Sequence, residues 1–117
     1  MSTKAEVIIQ WKEDGINRAI SSTVPFDGYP SVIFKDILLL IREGKEGNIN
    51  LIPDTLVDWG YEVSPGCDWR GDCDYIYTVD FTEETVTVER GERVVSFSFD
   101  NFLGEDINQL IRRVEEE

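Results

Sequence analysis

Apolar and polar positions first alternate in twos. Ala5 to Trp11 is rich in β-branched residues, Glu13-Asp14-Gly15 supplies turn chemistry, and Ile16 to Val24 resumes the strand-like pattern, which predicts a β-hairpin. Pro25 and Pro30 then bracket Phe26-Asp27-Gly28-Tyr29, a segment that can continue neither a ladder nor a helix, so the chain turns a corner there. After it the period changes. Ile33, Phe34, Ile37, Leu38, Leu40 and Ile41 recur at helical spacing, with Ser31 placed as N-cap and Gly44 as the stop after Glu43. A polar stretch, Lys45 to Asn50, leads to a second, short helix over Pro53 to Trp59, with proline in its first turn and Gly60 just past its end. Residues 61–73 show no periodicity and read as a loop. Alternation returns in Tyr75, Tyr77, Val79 and Phe81, then in Thr85 to Glu89 and Val94 to Phe99, the last two joined through Arg90-Gly91-Glu92, which predicts a three-stranded meander. Asp100 or Glu105 can cap a closing helix through Leu110, Ile111 and Val114, with Arg112 and Arg113 near the negative end of its dipole.

The order ββ, α, α, βββ, α predicts an α+β fold: an antiparallel sheet, built from the hairpin and the meander, with two to three helices packed on one face. The main helix is expected to lay Ile33, Phe34, Ile37, Leu38 and Ile41 on that sheet. No repeat or linker divides the chain, so residues 1–117 are expected to form one domain, and this length supports a core without a metal or a set of disulfides.

Composition narrows the chemistry. With 24 Asp plus Glu against 11 Lys plus Arg the net charge is -13, which removes the cationic surface that sequence-independent nucleic-acid binding requires. There is no histidine, so the commonest neutral-pH base, the Ser-His and Cys-His pairs and the commonest zinc ligand are excluded. The longest apolar stretch, Ile37 to Ile41, is far short of the ~20 residues of a membrane span. The N-terminal residues contain no apolar region of a signal peptide, so a cytoplasmic protein is expected. In a reducing cytosol Cys67 and Cys73 are expected to be free or reversibly oxidised and dispensable. Neither a cofactor nor a metal is expected.

The hairpin followed by Phe26-Asp27-Gly28-Tyr29-Pro30-Ser31 and an Ile/Leu-rich helix resembles a group of small uncharacterised phage and bacterial proteins. In that group a strand runs through His-Trp-Asp-Gly-Tyr-Pro into a helix. The likeness covers residues 5–43, with a looser echo over residues 74–88, and Pro25-Phe26 stands in place of His-Trp. The resemblance implies α+β topology and a phage or mobile-element origin, and no activity. Taken by itself, the Asp27-Gly28-Tyr29-Pro30 corner is explained by turn chemistry, with Gly28 supplying a positive φ and Pro30 setting the start of the helix.

The negative charge is concentrated. Residues 54–84 hold nine acidic residues against Arg70 alone. So dense a run opposes compact folding, and its interspersed aromatics are of the kind that anchor interfaces. The expected partner-binding residues are Asp54, Asp58, Trp59, Glu62, Asp68, Trp69, Asp72 and Asp74, offering carboxylates in place of phosphates to a basic groove on a host protein. The predicted function is thus a small acidic interaction module, a DNA mimic, that inhibits or modulates a nucleic-acid-handling protein without touching nucleic acid or membrane. The alternatives are a carboxylate enzyme or divalent-metal binder using Asp68, Asp72 and Asp74, and an assembly subunit or homodimer in which the exposed strand of the meander pairs with a neighbour. Arg70-Gly71-Asp72 between the cysteines looks like an integrin-binding loop, which a cytoplasmic protein could not use.

Overall fold

The computed structural model describes residues 4–24, 27–65 and 73–115. Strands β1 (Ala5–Glu13) and β2 (Ile16–Thr23) form the expected hairpin, closed by Asp14 and Gly15 at φ 51° and 79°. Helix α1 (Pro30–Lys45), a 3₁₀ turn (Ile49–Leu51) and α2 (Ile52–Asp58) follow, then strands β3 (Glu62–Pro65), β4 (Tyr75–Asp80), β5 (Thr85–Arg90) and β6 (Arg93–Ser98), and finally α3 (Phe99–Gly104) and α4 (Ile107–Glu115). The six strands make one sheet in the order β3-β2-β1-β4-β5-β6.

The hairpin and the meander are both present, and neighbours pair antiparallel except where the two halves meet. There β1 runs parallel to β4, with Ala5, Val7 and Ile9 opposite Tyr75, Tyr77 and Val79. The sheet is therefore mixed, not purely antiparallel. The second departure is β3, which lies within the stretch read as a loop and adds a short edge strand to β2. Four residues ending in proline carry too little alternation to register as a strand.

One core joins sheet and helices. Ala5, Val7, Ile9, Tyr75, Tyr77, Val79, Val86, Val88 and Phe97 point to the same face and meet Ile33, Phe34, Ile37, Leu40 and Ile41 of α1, Ile52 and Leu56 of α2, Phe99 and Phe102 of α3, and Leu110 and Val114 of α4. Phe34 sits at its centre, edge-on to Tyr77, Phe97 and Phe102. Leu38 is half-buried at the rim, so the helix is rotated slightly from the predicted face. β1 and β4, the two central strands of the six, are the most deeply placed: Glu6, Ile8 and Ile76 are also buried although they face away from the helices.

Three helix ends differ from the sequence reading. Tyr29, extended at φ -65° and ψ 147°, occupies the N-cap of α1, because Pro30 is already its first residue. Gly44 lies inside α1, which runs on to Lys45; a Cβ there would stand 2.1 Å from Cε1 of Phe81, so the glycine admits a ring and does not end the helix. The closing helix is two helices. Ser98 caps α3 in a reciprocal box with Asn101, at 3.1 and 2.9 Å, so Phe99 leaves the strand, and the Asp106 carboxylate accepts from the Asn108 N–H at the start of α4.

Candidate interaction surface

α2 is short because Pro53 opens it and Gly60 ends it at φ 91°. Ile52 and Leu56, four residues apart, fill the core; Asp54 and Asp58, also four apart, are thereby left in solvent. Trp59 is half-buried against the core rim, its ring tilted against Tyr61 at 6.4 Å. Tyr61 is buried and its hydroxyl donates to Asp36 Oδ2 of α1 at 2.8 Å. Burial, and then the bond and proximity to that carboxylate, push the Tyr61 phenol well above its ordinary range. Thr55, whose hydroxyl lies 3.2 Å from either oxygen of Glu43, ties the other side of α2 to α1. The chain then enters β3, where Glu62 is exposed opposite Thr23. Asp54, Asp58, Trp59 and Glu62 thus share one edge of the sheet, on a rigid base supplied by Leu56 and Tyr61.

Asp74 belongs to another place. It precedes β4, which is separated from β3 by β2 and β1, a span of ~14 Å for three strand spacings. Its backbone N–H donates to the Lys4 carbonyl at 2.9 Å and its carboxylate accepts from the Lys4 N–H at 3.1 Å, an exchange that starts the parallel pairing. Asp74 also lines an open cleft of about 570 Å³ with Tyr29, Cys73, Tyr75, Arg90 and Gly91. The Arg90 guanidinium lies 5.5 Å from the centre of the Tyr75 ring, and Tyr29 meets that ring edge-on at 6.1 Å. Burial raises the Tyr75 phenol, with Arg90 working against the shift.

Of the other described acids of the run, Asp80 ends β4, and Glu83 and Glu84 follow it. Asp80 Oδ1 accepts from the N–H groups of Thr82 and Glu83 at 2.8 and 3.2 Å, shaping the turn, and Glu84 is 4.0 Å from Lys45. A strand of six residues puts these groups ~20 Å from Asp74. What is continuous in sequence is therefore divided in space. Asp68, Trp69, Asp72, Cys67 and the Arg70-Gly71 step lie outside the described residues, as do Pro25 and Phe26. Among the described residues no three of His, Cys, Asp and Glu gather to hold a metal ion, and no helix is long and apolar enough to cross a membrane.

The corner at Asp27-Gly28-Tyr29-Pro30 is built for packing. Gly28 is not at positive φ, contrary to the turn expected; a Cβ on it would stand 2.2 Å from Cβ of Ala5, so it is glycine for close approach. Its carbonyl accepts the buried Tyr77 hydroxyl at 2.5 Å. Of the cleft residues, Arg90 stands beside Tyr75 through the antiparallel pairing of β4 with β5, whereas Tyr29, next to Gly28 at Ala5, reaches Tyr75 through the parallel pairing of β1 with β4, which no local pattern signals. Compared with known proteins, the chain matches no family model, no curated protein and no solved structure.

Proposed function

We propose that the protein is a small interaction module that offers the carboxylates of its α2–β3 edge, around Trp59, to a basic groove on another protein. The observation that carries this reading is the pair Asp54 and Asp58, held outward on a helix whose opposite side is locked in the core, beside exposed Glu62 and a half-buried tryptophan. Interfaces of this kind use fixed charges to steer encounter and a large aromatic as anchor. Encoded by a phage or mobile element, such a module would act in the host cytoplasm by occupying the groove of a nucleic-acid-handling protein in place of DNA phosphates, so inhibiting or modulating it.

The test begins with capture of a partner from host lysate and continues with the purified pair. Association rates are measured for the natural chain, for Asp54→Asn/Asp58→Asn/Glu62→Gln and for Glu46→Gln/Glu83→Gln/Glu92→Gln, two variants of equal charge. The first should associate more slowly at physiological salt and the second close to normally, because screening over about 8 Å leaves only nearby charges effective. Equal losses from both variants, or none from either, would remove the edge from consideration.

A further inference from the structure

The sheet has two edges, and they are not alike. β3 is four residues long, carries exposed Glu62 and ends in Pro65, which has no N–H to offer; these are devices that discourage strand addition. β6 is longer and, beyond Arg93, contains only Val94, Val95, Ser96, Phe97 and Ser98, with neither proline nor a further charge.

The backbone pattern shows what that edge offers. Gly91-Glu92 is a two-residue turn with Gly91 at φ 61°, so its flanking residues Arg90 and Arg93 exchange hydrogen bonds, as then do Val88 with Val95 and Val86 with Phe97. The Phe99 N–H bond to the Glu84 carbonyl, 2.9 Å, continues the same alternation. The N–H and C=O groups of Val94, Ser96 and Ser98 must therefore point away from β5. Ser98 uses its N–H in the cap of α3. Val94 and Ser96 bond outward to no other described residue, and both side chains are exposed, Val94 at 58%.

We propose that β6 is a dimerisation strand whose occupant is β6 of a second copy, antiparallel across a twofold axis at Val95. A twofold axis normal to the sheet keeps the helices of both copies on one side and sets each outward pair of Val94 opposite Ser96 of the second copy, satisfying both residues' N–H and C=O groups. Val95 then faces its own counterpart in a non-hydrogen-bonded pair, and Arg93 faces Phe97. Charge permits approach here although the chain as a whole carries -13: within β6 the single charge is Arg93, which follows Glu92 of the turn. Arg93 Nη1 reaches the Val114 carbonyl at 3.5 Å and Arg113 lies 4.7 Å over the Phe97 ring, so further cations are fixed beside the edge. This inference does not depend on the acidic α2–β3 edge, at the other side of the sheet.

Register is tested by single cysteines in a Cys67→Ser/Cys73→Ser background. Val95→Cys should oxidise to a disulfide-linked dimer, because a non-hydrogen-bonded pair brings the two Cα atoms to about 4.5 Å. Val94→Cys, the more exposed site, should cross-link at least about tenfold more slowly, since its opposite residue is Ser96. In a separate experiment that leaves Val95 intact, sedimentation equilibrium of the natural chain should show a monomer–dimer equilibrium, and Val94→Lys/Ser96→Lys should raise its dissociation constant about tenfold or more through opposed like charges. A natural chain that stays monomeric to millimolar concentration, a Lys variant that dimerises as well as the natural chain, or faster cross-linking at Val94→Cys than at Val95→Cys would each overturn the proposal.

Discussion

Replacing Gly28 by alanine is the smallest change that interrogates the corner between hairpin and helix. Carbon atoms in contact sit about 3.5–4.0 Å apart, so a Cβ placed 2.2 Å from Cβ of Ala5 demands a shift of more than about 1 Å. Ala5 cannot supply it: it is 1% exposed, lies opposite Tyr75 of β4, and accepts the Val24 N–H at 3.1 Å. The corner must move outward, and the 2.5 Å bond from Tyr77 to the Gly28 carbonyl is the first contact to stretch. Overpacking costs about 1–3 kcal/mol and leaving a buried hydroxyl without its acceptor costs about 1–3 kcal/mol, so the expected loss is about 3–4 kcal/mol.

The same geometry predicts a rescue. Ala5→Gly alone removes one buried methyl and loosens a strand, for about 1–2 kcal/mol. In combination with Gly28→Ala it restores the missing space, so the double variant should be more stable than additivity allows by about 2 kcal/mol. Urea unfolding of the four members of the cycle, compared by midpoint at an unchanged slope, measures this coupling. Strictly additive losses, or a Gly28→Ala protein as stable as the natural one, would show that the glycine is not there for close approach to Ala5, and a binding role for the corner would return.

Further outcomes follow from the same packing. Ile37→Asp should abolish the folded state by burying an unpaired charge, whereas Leu39→Asp two residues on, at a site 48% exposed, should fold and melt cooperatively; far-ultraviolet circular dichroism distinguishes them. Ser98→Ala should cost about 1 kcal/mol through loss of the α3 cap, read as a lower urea midpoint. Tyr61, Tyr75 and Tyr77 have phenols raised above 10.0 mainly by burial, so the native chain holds these protons where the unfolded chain releases them; stability is full below pH 10.0 and falls as pH rises above it, and tyrosinate absorbance should appear together with unfolding.

What could be read in advance was whatever repeats locally. The hairpin, α1, α2 and the meander each announce themselves by period and by turn residues within a dozen positions, and each is present. The parallel pairing of β1 with β4 leaves no such mark: Ala5 opposite Tyr75 is a relation between distant segments, and alternation is the same for parallel and antiparallel neighbours. Gly44 and Gly28 mislead for a related reason. A glycine beside a helix end or a proline reads as backbone freedom, while the ring of Phe81 and the methyl of Ala5 that require its missing side chain come from other strands and turns. The candidate surface was legible in part: Asp54, Asp58, Trp59 and Glu62 adjoin in space because they adjoin in sequence across one helix and one turn, whereas Asp74 is carried off by the strand order.

That division has a consequence for how charge acts. The acids past β4 and those of the α2–β3 edge stand on different parts of a molecule whose extents are 39 × 30 × 25 Å. At physiological ionic strength the screening length of about 8 Å confines steering to the carboxylates that line the contact. At 0.01 M salt it lengthens to about 30 Å, comparable with the whole protein, and every exposed carboxylate then contributes to the attraction of a basic partner. The rate difference between Asp54→Asn/Asp58→Asn/Glu62→Gln and Glu46→Gln/Glu83→Gln/Glu92→Gln should therefore narrow as salt is lowered, while both associate faster in absolute terms. A difference that stays constant or widens at low salt would mean that the three edge residues act through direct contacts and not through their charge, and the α2–β3 edge would then have to be explained by Trp59 and its neighbours.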